Sequence, residues 1–167
     1  MANIQDLRAK SNPQFAYMFE VDVTGGNFSN SDITVMAKTV TIPQTSVEQL
    51  ILNHKAGKSH YASRDASSHT VALTFWDDEA STVQKFFGGW FNTVQDPDTY
   101  AGVGRNNYTA DVNIRLKDKS DASVTATIKL GGCWVMEVSD ISLSYDNTEA
   151  LEVSVTLSYE TKTVEYA

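Results

Sequence analysis

Residues Thr70 to Val94 carry two hydrophobic periods in succession. In His69-Thr-Val-Ala-Leu-Thr-Phe-Trp76 the apolar Val71, Leu73 and Phe75 alternate with Thr70, Ala72, Thr74 and Trp76, and a period of two predicts a strand. From Ala80 the period changes. Ala80, Val83, Phe86/Phe87, Trp90/Phe91 and Val94 recur at three and four, which predicts a helix over about residues 78–94. Asp77 is its expected N-cap, with Asp78 and Glu79 in the first turn, where the helix dipole favours negative charge. Gly88 and Gly89 oppose the helix by roughly 1 kcal/mol each relative to alanine. Burial of about five large side chains at about 1.5–3 kcal/mol each outweighs them. An alternative use of the glycine pair is to let a neighbouring backbone approach closely.

Elsewhere the period is two. Phe15, Tyr17, Phe19, Val21 and Val23 alternate with polar or small residues up to Gly25-Gly26-Asn27. Ile33 to Ile42 reads as a second strand stopped by Pro43, and Ser46 to Asn53 as a weaker third. Residues 54–68 are polar and nearly free of large apolar side chains, so they are expected to form a long loop. Gln95 to Asn107 is expected to be another. Ala110 to Lys117 and Ser123 to Leu130 form an amphipathic hairpin that Gly131-Gly132 should break. A second hairpin is expected from Ile141 to Tyr145 and from Leu151 to Tyr159. About eight strands and one helix follow. The fold class is therefore mainly β, with a core suited to one domain spanning residues 1–167. Residues 1–14 lack a clear period and read as an N-terminal arm.

Charge narrows the partners. Thirteen basic against 21 acidic residues give a net charge of −8, too acidic for a tight nucleic-acid binder but compatible with a surface DNA must pass without sticking. The single cysteine, Cys133, excludes an intramolecular disulfide and fits a reducing origin. No signal-peptide pattern is expected at the start, and no apolar run reaches the ~18 residues of a membrane span.

Catalytic chemistry finds no foothold. His54, His60 and His69 are six and nine residues apart and have no ligand partner at a usual spacing, so no metal or cofactor is expected. Asp77-Asp78-Glu79 reads as capping rather than as paired acid and base. Gly102-Val-Gly104 lacks the rest of a phosphate loop. Trp76, Trp90 and Trp134 suggest core packing before a sugar platform.

Four stretches, in this order and spacing, resemble the tail tube proteins of contractile-tailed, T-even-like bacteriophages. They are Asn12-Pro13-Gln-Phe-Ala-Tyr-Met-Phe-Glu-Val21, Ala37-Lys-Thr-Val-Thr-Ile-Pro43, Thr70 to Ala80 continuing to Trp90, and Ile128-Lys-Leu-Gly-Gly-Cys-Trp134 through to Leu151-Glu-Val-Ser-Val-Thr-Leu-Ser-Tyr159. The resemblance implies a β-sandwich or partial barrel with one helix, similar also to the tube protein of type VI secretion, and no enzyme activity. It implies hexameric rings stacked into a hollow tube that conducts genomic DNA during ejection, with a tail sheath protein and a baseplate or tube initiator as partners. The location implied is the virion tail, assembled in the host cytoplasm. A tube initiator or terminator of the same fold is the alternative, and a carbohydrate-binding β-sandwich a more distant one. The resemblance also implies that the long segment at residues 54–68 packs against neighbouring subunits, which nominates His54, Lys55, Lys58, His60, Tyr61, Arg64 and Asp65 as interface residues. For the channel, the polar strand faces offer Glu20, Asp22, Glu152, Thr156 and Glu160, a solvated outer surface being the alternative for each. Arg115 and Lys129 are expected to pair with acids or to point away from DNA.

Overall fold

A computed structural model of the protein describes residues 14–25, 28, 31–141, 143–146 and 148–167. Of the expected N-terminal arm, residues 1–13 lie outside the described residues. The strands are β1 (Phe19–Thr24), β2 (Ala37–Thr41), β3 (Val47–His54), β4 (Gly57–Asp65), β5 (Thr70–Trp76), β6 (Ala110–Lys117), β7 (Val124–Val138), β8 (Glu152–Ser158) and β9 (Thr161–Tyr166). The helices are α1 (Ser31–Met36) and α2 (Thr82–Val94), with a 3-10 turn at Arg105–Asn107.

Seven of the strands form two antiparallel layers that share β7, and β3 and β4 pair apart from them. The first runs β1-β6-β7-β9 and the second β7-β8-β5-β2. Ala126 to Gly131 of β7 pair with β9, and Trp134 to Val138 pair with β8. The strand changes sheets at Gly131-Gly132. Gly132 has φ +65°, which favours glycine, and a Cβ on Gly131 would lie 2.6 Å from Thr161 Oγ1, so the bend is built on the first with the second packed close to the Thr161 side chain. The corner is pinned by Gly132 N donating to Asp111 Oδ1 at 3.2 Å and by the Arg105–Glu160 ion pair. The glycine pair therefore bends a continuous strand where a break was expected.

Each sheet turns its apolar residues inward. Val21, Val23, Val112, Ile114, Ile128 and Leu130 come from the first sheet, and Leu73, Phe75, Val153, Val155 and Leu157 from the second. α2 closes this core with Val83, Phe87 and Trp90, all fully buried. Phe75 packs on Phe87 and Phe28 stacks on Trp90, each at 5.0 Å between ring centroids. The Trp90 indole donates to Tyr108 O at 2.6 Å, which satisfies its one buried polar atom.

The helix starts at Thr82, later than its hydrophobic period suggests. Ser81 sits at φ 55°, and Asp77 and Asp78 reach the first turn from outside it. Asp78 Oδ1 accepts Thr82 N at 2.8 Å, and Asp77 Oδ1 accepts Val83 N at 3.0 Å. These carboxylates do the capping expected of Asp77, from before the N-cap position. An added Cβ at Gly88 or Gly89 meets nothing within 4 Å, so neither admits a close backbone within the subunit.

Four other expectations change. Residues 31–36 are helical rather than the start of a strand. Ile33 is buried while Val35, two positions on, is 83% exposed, a pattern that strand alternation cannot produce. The chain reverses at residues 15–18, so the first strand begins at Phe19. The described residues between Ser139 and Leu151 form no strand, and β8 pairs with β5 and β7 instead. Residues 54–68 are mostly strand β4, which pairs with β3 through a two-residue turn at Lys55-Ala56. Their polarity reflects a strand exposed on both faces, not an absence of structure.

Candidate assembly surfaces

The outward face of the first sheet is a lattice of charges. Cross-strand rows run Glu20, Arg115, Thr127, Glu165 and, one step along, Asp22, Asn113, Lys129, Thr163. Arg115 bridges Asp22 at 2.9 Å and Glu20 at 3.6 Å. Lys117 reaches Glu20 at 3.4 Å and Asp121 at 3.1 Å, and Lys129 reaches Glu165 at 2.8 Å. Its bond to Asp121, and then Glu20, holds the Lys117 ammonium above its usual pKa. Four acids, one of them in the β6–β7 turn, thus pair with three bases across the four strands. Exposed pairs of this kind contribute little stability, so their main effect is on how the face meets other charges.

Both edges of this sheet are open among the described residues: β1 pairs only with β6, and β9 only with β7. On the core side of β9, Val164 and Tyr166 stand in the rows of Ile128 and Ala126, yet Tyr166 is 82% exposed. At the opposite edge an apolar groove of about 650 Å³ opens between β1 and β2, lined by Tyr17, Phe19, Val40, Trp76, Ile114 and Leu116 among others.

The β3–β4 hairpin is a second exposed surface. It forms a two-stranded sheet of its own and makes no substantial packing contact with another element. Val47, Leu50, Ile51, Leu52 and Tyr61 are 42–59% exposed on it. Leu50 lies opposite Tyr61, and Ile51 opposite His60. The hairpin's base is tied by Ala66 N donating to Ser46 O at 2.9 Å and by Lys162 Nζ donating to Pro43 O at 2.5 Å. Hydrogen bonds from the Ser67 hydroxyl and backbone hold the Asp65 carboxyl below its usual range. A hairpin with so little behind it is marginal alone.

All seven interface candidates lie on this hairpin. His54 ends β3, Lys55 is in the turn, and Lys58, His60, Tyr61, Arg64 and Asp65 follow on β4. His60 Nδ1 is 2.8 Å from Gln49 Nε2, and Arg64 donates to Glu48 at 2.8 Å. Leu50, Leu52 and Val47 are exposed apolar residues of the same hairpin that the sequence reading does not nominate. The signal was Leu50-Ile51-Leu52 running into the tight turn ahead of Gly57.

The five channel candidates do not share one surface. Glu20 and Asp22 sit on the charged face. Glu152 and Thr156 lie on the outward face of the second sheet, opposite Trp76 and Ala72, with Glu152 paired to Lys38. Glu160 is at the β8–β9 corner against Arg105, which holds its carboxyl below the usual range. The two sheets cover one core from opposite sides, so their polar faces point away from each other. Glu165 and Thr163 also stand in the rows of the charged face, and the sequence reading does not nominate them because β9 shows no clear apolar alternation.

Among the described residues no cluster of three or more His, Cys, Asp or Glu could hold a metal. Cys133 is buried, and desolvation pushes its thiol up to about 12, far from a nucleophile. Trp90 is in the core, Trp134 packs edge-on to Tyr108, and Lys38 lies over Trp76, so the tryptophans make no common platform.

Residues 8–165 match the family model described as phage tail tube protein. No curated protein matches the chain significantly. Among solved structures, it is similar to the tube-terminating cap of the anti-feeding prophage, with a TM-score of 0.73, 14% identity and 95% of each chain covered. It is similar to a chain of the PVC sheath-tube complex, an extracellular contractile injection system, with a TM-score of 0.71, 12% identity and 100% of each chain covered. A type six secretion system protein follows, with a TM-score of 0.57, 10% identity, and 90% of this chain and 84% of that chain covered. At such identities the likeness shows a shared fold.

Proposed function

The chain belongs to the phage tail tube protein family, whose members are structural proteins and not enzymes, and from that footing we propose that it is a tube subunit. Hexameric rings of it stack into a hollow tube that conducts DNA during ejection, inside a sheath and on a baseplate or initiator. The observation that carries this reading is the first sheet, open at both edges and neutralised on its outward face. β1 and β7 run one way, β6 and β9 the other, so β9 of one copy meets β1 of the next as an antiparallel neighbour. Closing a ring this way removes every free edge of that sheet. Four strands from each of six copies, at about 4.8 Å spacing and a tilt of ~20°, give a barrel about 40 Å across, wide enough for an aqueous lumen.

The charged face then lines the channel. DNA must slide through without being held, and unpaired lysines or arginines would gain counterion release at each phosphate. Arg115, Lys117 and Lys129 already have acid partners, and Glu20 and Asp22 contribute repulsion. The hairpin serves contacts between subunits. Residues 54–64 hold Lys55, Lys58 and Arg64 and no acid, so in a chain of net charge −8 the remaining residues carry −11. A neighbouring copy is thus an attractive surface for the hairpin tip, and salt should weaken the attraction.

Negative-stain electron microscopy of the concentrated protein tests this. Tubes are expected. A monomer unchanged by concentration or salt overturns the reading. Single rings that never stack would favour the alternative motivated by the likeness to a tube-terminating cap, a terminator or initiator of the same fold.

A further inference from the structure

Ring closure through β1 and β9, on which this inference rests, leaves the register of the seam open, and the strand edges restrict it. Lys117 N donates to Met18 O at 2.9 Å, so the Met18 carbonyl and the backbone groups of Glu20 and Asp22 face β6, while Met18 N closes the preceding turn on Phe15 O. Phe19, Val21 and Val23 direct theirs out of the sheet. Likewise Ala167 N donates to Thr125 O at 3.0 Å, so Glu165 and Thr163 bond β7, while Tyr166, Val164 and Lys162 face outward. A seam must join these two outward sets. The polar residues of the two strands then fall opposite one another as non-hydrogen-bonded pairs, with Cα atoms only about 4.5 Å apart.

Three registers keep the polar faces aligned and overlap the two strands by at least four residues. The one that continues the existing rows places Glu165 opposite Glu20. Sliding β9 by two residues one way places Glu165 opposite Asp22. Both set carboxylate against carboxylate at the closest cross-strand distance, which is destabilising. Sliding it the other way places Glu165 opposite Met18, Thr163 opposite Glu20 and Thr161 opposite Asp22. Acids then face methionine and threonine hydroxyls, which can donate to them.

The same register resolves the apolar side. It sets Val164 beside Phe19, the first residue of β1, and carries Tyr166 past the start of that strand toward Tyr17 in the preceding turn; both Phe19 and Tyr17 line the groove between β1 and β2. Tyr166 and Tyr17 are 82% and 70% exposed in the single subunit, and both lose water at this seam. We propose that β9 of one copy adds to β1 of the next in this register, with its Val164 and Tyr166 filling the neighbour's groove. Each subunit's core is then completed by the strand of another.

Paired cysteines test the register in assembled rings. Met18→Cys with Glu165→Cys should oxidise to a disulfide between subunits, giving a ladder of multimers on a non-reducing gel. Glu20→Cys with Glu165→Cys, and Asp22→Cys with Glu165→Cys, should not. Cys133 is buried and stays out of the reaction. Cross-linking of either control pair, or rings without cross-linking of the first pair, overturns the register. Tyr166→Ser gives a second readout. It should leave the melting temperature of the monomer unchanged and weaken ring association about tenfold or more. Rings of the serine variant as tight as those of the unmodified protein refute the groove contact. If the unmodified protein forms no rings, the tube reading itself fails, an outcome distinct from rings with another seam.

Discussion

Replacing Leu50, Leu52 and Tyr61 together with serine should separate assembly from folding. The three side chains lie on one face of the β3–β4 hairpin and are 49%, 42% and 51% exposed. About half of each is therefore already shielded, mostly by the hairpin itself. A fully buried side chain of this size gains about 1.5–3 kcal/mol, so covering the remaining half in an assembly is worth about 1 kcal/mol per residue. The triple variant should lose roughly 3 kcal/mol per hairpin contact, on the order of a hundredfold in association constant. Its monomer should unfold at nearly the same denaturant concentration, because the hairpin makes no substantial packing contact with the body. Sedimentation velocity across a concentration series measures the first effect and urea denaturation of dilute monomer the second. Unaltered association would show that the hairpin does not carry the contact. A stability loss as large as that of a core truncation would show that it packs on its own subunit.

Gly88→Ala and Gly89→Ala should each stabilise the dilute monomer by about 1 kcal/mol, since the added methyl group meets nothing within 4 Å. A loss of stability in urea denaturation would refute that reading of the helix surface. Acid should loosen the start of α2. Hydrogen bonds from the Thr82 backbone and hydroxyl depress the folded pKa of Asp78, so its contribution is complete above the unfolded carboxylate value and is lost as pH falls through the folded one. Asp78→Asn should flatten the acid limb of a stability profile taken from pH 7 to pH 3, and an unchanged slope would count against the capping role.

The parts of the fold that announce themselves in the chain are those with one wet and one dry face. β1, β5, β6 and β8 alternate because the core takes one side and solvent the other. α2 is legible for the same reason at a period of three to four. β4 and β9 are not, because neither has a buried side in the single subunit, and Ser59-His60-Tyr61 or Thr163-Val164-Glu165 carry no contrast to read. Gly131-Gly132 misleads because glycine marks both a stop and a bend, and only Thr161 packed close by distinguishes them. For the candidate surfaces, the run of Lys55, Lys58 and Arg64 is legible as charge gathered on one segment. Charge could not sort Glu20 from Glu152, since the strand that carries each gives no sign of which sheet it joins.

The shared strand β7 also has a mechanical consequence. β7 is fifteen residues of unbroken backbone whose first part lies in one layer and whose last part lies in the other, so the layers cannot slip past each other as two stacked plates can. A pull on the β1 edge passes through the ladder to Val124–Leu130, along covalent bonds round the glycine corner, and into Trp134–Val138 and β8. Separating the layers means tearing several backbone hydrogen bonds at once, in shear, on both sides of one strand. The subunit should therefore transmit force as a stiff link, with its compliance concentrated at the joints between copies.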